Sequence, residues 1–161
     1  MAVKTPLVIG ANGFPAQLQA GDSINVSTTT TDVRTATNAN AGAIVIGAPV
    51  YASAAGSIDK ARANAAGTSV VVGLVYDVSI AAAAVGNYAV AGFMTATTTQ
   101  WDAVAGTTGG LTAGTRYFLD PATAGKMTST VPTTVGQNIV FLGIGLSTTD
   151  FELNPQFICA L

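Results

Sequence analysis

The 161-residue chain is long enough for one domain with its own core, yet only 9% of its residues are charged, against roughly 25% in ordinary soluble domains. Net charge is −2, and its basic residues Lys4, Arg34, Lys60, Arg62, Arg116 and Lys126 are scattered, so a counterion-releasing nucleic-acid surface is not expected. Hydrophobic residues make up 49% and mean hydropathy is +0.49, but Gly, Thr, Asn and Ser interrupt every window long enough for a membrane helix.

The opening MAVKTPLVIGANG carries one lysine and too short an apolar run for a signal-peptide core. Aromatic girdles of an outer-membrane barrel are missing as well. Asn12-Gly13 lies between LVIGA and FPAQLQ and signals a hairpin, with Pro15 marking an edge strand or a strand start. Residues 24–42, INVSTTTTDVRTATNANAG, have threonines but few large apolar anchors, and read as an extended arm or as a long loop.

Strand signals sharpen from Ala43. AIVIGAPVYAS predicts a strand pair, or one strand with a bulge at Gly47–Pro49. GSIDKARA follows, then the valine-rich SVVVGLVYDVSI, where Gly73 marks a bulge or a close backbone approach. IAAAAVG (80–86) has high helix propensity but is too short for an independent helix, and predicts a turn or short helical corner. NYAVAGFM, TTTQWDAVAG, TRYFLD, GKMTST, NIVFLGIGLS and DFELNPQFICAL complete the series. Turn signals every eight to twelve residues point to an all-β fold, a small β-barrel or β-sandwich with an extended N-terminal arm. The expected division is residues 1–42, hairpin and arm, and residues 43–161, the barrel or sandwich.

A weak repeat runs through the second part. Residues 50–74 and 117–144 each hold an apolar-aromatic strand, a turn ending Ala-Gly (Gly56, Gly125), an apolar residue two places on (Ile58, Met127), a polar loop and a glycine-bearing strand (Gly73, Gly143).

Catalytic chemistry finds little to stand on. The chain has no histidine, so neither a Ser/Cys–His pair nor a His/Cys metal site is expected, and no catalytic, cofactor or metal residue is assigned. Cys159 stands alone and reads as a small apolar residue in a buried terminal strand. Of eight carboxylates, Asp22, Asp32, Asp59, Asp77, Asp102, Asp120, Asp150 and Glu152, Asp22 and Asp120 sit at turns. Asp150 and Glu152 share a strand face that points to water or to calcium. The glycine-rich GANG and GTTGGLTAG lack the GK[ST] of a phosphate loop, and Trp101 reads as a core or interface anchor or a sugar-stacking ring.

GGLTAGTRYFLDPATAGKMTSTVPTTVGQNIVFLGIGLSTTDFEL and LVIGANGFPAQLQAGDSI resemble segments of tailed-bacteriophage virion proteins, and the stretch from GAPVYASAAGSIDKARA to GNYAVAGFM resembles capsid decoration (cement) proteins more loosely. The resemblance implies a virion component made in the host cytoplasm and placed on the capsid exterior. Its partners would be the major capsid protein and further copies of itself as a trimer, with no nucleic acid and no membrane. Contact candidates are Leu7, Val8, Ile9, Phe14 and Leu18 on the arm, and Phe157, Ile158 and Leu161 at an apolar C-terminal edge that could instead close the core. The alternative is a tail-fibre or baseplate module binding a host glycan or protein, with Trp101 and Tyr117 facing outward; a virion glycosidase would rest on generic acids alone.

Overall fold

Residues 7–9, 15–17 and 31–161 are described by a computed structural model. Strands β1 (Leu7–Ile9) and β2 (Pro15–Gln17) pair antiparallel with Ile9 opposite Pro15, so the expected hairpin forms and Pro15 is the first residue of its strand. The turn residues Asn12 and Gly13 lie outside the described residues.

β3 (Asp32–Asn38), β4 (Ile44–Val45), β5 (Pro49–Ala54), β6 (Ser57–Lys60), β7 (Val71–Val75), β8 (Ser79–Ile80) and β9 (Val85–Thr95) follow. β3 lies antiparallel to β9 and parallel to β6, β6 pairs with β5, β5 with β7, and β7 returns to β9. The circuit β9–β3–β6–β5–β7–β9 is a closed five-stranded barrel, so each barrel strand has partners on both sides. Beside it β4 and β8 form a two-stranded ribbon whose paired Ile44 and Ile80 are buried.

The expected boundary at residues 42 and 43 does not divide the fold, because β3 is a barrel strand. Threonine-rich and polar, it buries only Ala36 and Asn38, and its place is fixed by six residue pairings with β9 instead of by apolar alternation. Asn38, 1% exposed, locks it: its side-chain amide faces the carbonyls of Gly42, Ile80 and Ala81, and its Oδ1 accepts from the Asn40 N–H. Within IAAAAVG, residues 81–84 form a turn between β8 and β9, with Ala83 at φ 59°.

At eleven residues β9 is long enough to serve a second sheet. Its end, Gly92–Thr95, pairs with β13 (Asp150–Ala160). β10 (Arg116–Leu119), β11 (Met127–Thr128) and β12 (Asn138–Gly145) complete the antiparallel order β11–β10–β12–β13–β9. Between β9 and β10 comes helix α1 (Thr98–Ala105), which the sequence did not lead us to expect. Thr97 caps it through the Gln100 N–H while the Gln100 side chain accepts from the Thr97 N–H, and Gly106 ends it at φ 64°.

One core runs through both parts. Trp101 on α1 is fully buried, its ring 5.5 Å from that of Phe151, and its indole N–H donates to the Thr149 carbonyl at 2.8 Å. Tyr117 packs edge-on to Phe151 at 6.0 Å and accepts from the Thr112 N–H.

Candidate interaction surface

Strand alternation sets what the second sheet shows to solvent. Tyr117, Phe151 and Leu153 turn one face into the core and are at most 1% exposed. On the opposite face two cross-strand rows stand side by side. Arg116, Ile144 and Glu152 form one, Phe118, Phe141 and Gln156 the other. Phe118 and Phe141 meet edge-to-face at 6.0 Å. With Ile139, Ile158 and Val131, all of these side chains except Glu152 line an open groove of about 500 Å³. Arg116 and Gln156 supply its polar groups.

Of the C-terminal candidates, Ile158 lines this groove, while Phe157 pairs with the buried Val140. Phe157 and Ile158 are 57% and 54% exposed and Leu161 is 38% exposed, so they form an outer edge and do not close the core. Backbone bonds hold the terminus in place, from Leu161 N–H to the Gln137 carbonyl and from Gly136 N–H to the Leu161 carbonyl. Cys159 is half-buried and free, not fully enclosed. Of the arm candidates, Leu7, Val8 and Ile9 form β1, opposite Gln17, Ala16 and Pro15. Phe14 and Leu18 lie outside the described residues.

A second apolar patch, which sequence reading missed, lies at the barrel end carrying β4 and β8. Val45, Tyr76, Val78 and Val85 are exposed there, the last two at 71% and 70%. Its residues sit at strand ends and turns, where a lone valine in the sequence gives no sign of facing water.

Five of the carboxylates hold loops. Asp59 accepts from the Lys60 N–H and the Asn40 amide, and Asp77 from the backbone and side-chain amides of Asn87. Asp120 caps its turn through the N–H groups of Ala122 and Thr123, as its position before Pro121 predicts. Asp150 accepts from Thr95 and Ser147. Asp102 takes the N–H of Gly110, the hydroxyl of Thr107 and the N–H of Gly109. The Gly110 bond does most to hold its carboxyl below the usual carboxylate range, against the opposing effect of desolvation, with Thr107 and Gly109 adding to the lowering. Among the described residues no three of His, Cys, Asp and Glu come together as a metal cluster, and no helix is long and apolar enough to cross a membrane.

The exposed groups are therefore suited to contact: apolar rings and branched chains on a rigid sheet, with few charges to desolvate. Trp101 and Tyr117 are enclosed and offer no ring to a sugar. Comparison with protein-family models, with curated proteins and with solved structures finds no match for this chain.

Proposed function

We propose that the chain is a virion structural protein of a tailed bacteriophage. In this reading it binds the outer surface of the capsid where subunits meet and holds them together. The supporting observation is the pairing of a 9% charged composition with apolar groups held outward on a closed, tightly hydrogen-bonded frame. Such faces gain free energy when covered, at roughly 25 cal/mol per Å² of apolar area. Their partner surface would itself be repeated, so many modest contacts on one particle act together. The capsid contact is assigned to the barrel-end patch of Val45, Tyr76, Val78 and Val85, with the N-terminal segment reaching neighbouring subunits. The sequence resemblance to decoration proteins points the same way.

Counting copies in purified particles tests this reading. On the order of hundreds per virion, matching the number of capsid subunit junctions, is the expected result for multivalent cement. A few copies confined to the tail would overturn it. The tail-module alternative loses its two proposed stacking rings, since Trp101 is 0% and Tyr117 1% exposed.

A further inference from the structure

The two halves of the fold share a series of matching backbone bonds. β5 lies between β6 and β7, as β10 lies between β11 and β12. Val50 faces Gly73 with a register shift at the next residue, and Tyr117 faces Gly143 with the same shift. Gly47 and Gly114 sit at φ 77° and 75° before the central strands. In the first half Gly47 N–H donates to the Val75 carbonyl and Val75 N–H to that of Ala48, at 2.9 and 3.0 Å. The second half has Gly114 to Gly145 and Gly145 to Thr115, at 2.7 and 2.9 Å. The N–H groups of Tyr76 and Asp77 share the Asn87 carbonyl, as those of Leu146 and Ser147 share that of Asp150. The end of β9 stands beside β13 as β3 stands beside the start of β9. One unit thus occurs twice in tandem, with β9 closing the first copy and opening the second.

The copies differ in what covers them. Pro49, Leu74 and Ala89 form a cross-strand row in the first, and all three are buried. The same register in the second gives Arg116, Ile144 and Glu152, of which Ile144 is half-buried and both charges are exposed. A row that is interior in one copy is bare in the other, and it borders the apolar groove.

We propose that this row is the self-association face, covered by the same row of a second molecule about a twofold axis parallel to β12. Charge selects that axis. Arg116 and Glu152 lie on either side of Ile144, about 10 Å apart across two strand spacings. Facing sheets with the axis along β12 exchange the flanks, so each Arg116 meets the second molecule's Glu152. An axis across the strands would instead oppose Arg116 to Arg116. Phe141, on the central β12, then buries against its equivalent, while Phe118 and Ile158, on the exchanged flanks, bury against the second molecule's β13 and β10 sides, in the near-aligned packing that sheets favour. The proposal deepens the structural-protein reading by naming one self-contact, and its test needs no capsid.

Sedimentation of the isolated full chain reads it directly. The wild type is expected to dimerise and I144D to be monomeric, while V135D, at a position 88% exposed and outside the groove, leaves the dimer intact. R116E and E152R each place like charges together and weaken the dimer roughly tenfold or more, and the double variant restores it. Circular dichroism confirms folding for each. A wild type that stays monomeric at millimolar concentration, or a double variant no better than the single ones, overturns the proposal. Because surface charge reversals leave the core untouched, they decide the matter even where I144D fails to fold.

Discussion

A Cβ placed on Gly73 would lie 2.0 Å from the carbonyl oxygen of Ala89 on the neighbouring strand, and one on Gly143 would lie 2.0 Å from that of Glu152. Neither obstacle is a flexible side chain, so alanine at either site must push two strands apart. G73A and G143A are each expected to lose about 2–3 kcal/mol or more, measured by urea denaturation. G67A is the control, with nothing within 4 Å of its added carbon, and should shift stability by no more than about 0.5 kcal/mol.

Trp101 reports on the core that joins barrel and second sheet. It is the only tryptophan, and its indole N–H is spent on Thr149. W101F removes that bond and leaves a gap, with an expected cost of about 2–4 kcal/mol in the same denaturation. Native fluorescence should be blue-shifted and poorly quenched by acrylamide, and unchanged by added glycans.

Asn38 makes β3 part of the barrel through an amide that faces three carbonyls. A carboxylate there would turn its oxygens on theirs. N38D is expected to be destabilised by about 3 kcal/mol or more, exceeding N38A, because a buried charge with only the Asn40 N–H as donor and one oxygen against three carbonyls costs more than the lost hydrogen bonds. Thermal melts of both variants check the order.

Asp102 carries a pH signature. Its folded-state pKa is depressed, so the stability it contributes is complete above the unfolded carboxylate value near 4 and is lost as pH falls through the lower folded value. The loop at Thr107–Gly110 should loosen in that acid range. Hydrogen exchange at Gly109 and Gly110 should rise there in the wild type, while D102N should show a flatter acid dependence.

Local signals carried the sequence reading furthest. The Gly73 bulge, the Asp120 turn and the repeated hairpins depend on neighbours in the chain, and all are in place. β3 escaped because its partners lie on β9 and β6, far along the chain, and its threonines show no apolar alternation. Helix α1 escaped although the Thr97–Gln100 capping box and Gly106 were there to read, because the preceding threonines favour strand. Of the proposed contact residues, Phe157, Ile158 and Leu161 were found at an exposed edge. Phe118, Phe141 and Ile144 were missed, since only the register of β10, β12 and β13 shows which side of the sheet they occupy.

The most direct test of the central claim uses particles assembled without this chain. Purified protein added to them should cosediment, saturate at a copy number set by the subunit junctions, and raise the temperature at which the shells open. Shells that bind none of it, or that open at the same temperature when fully occupied, would contradict the account.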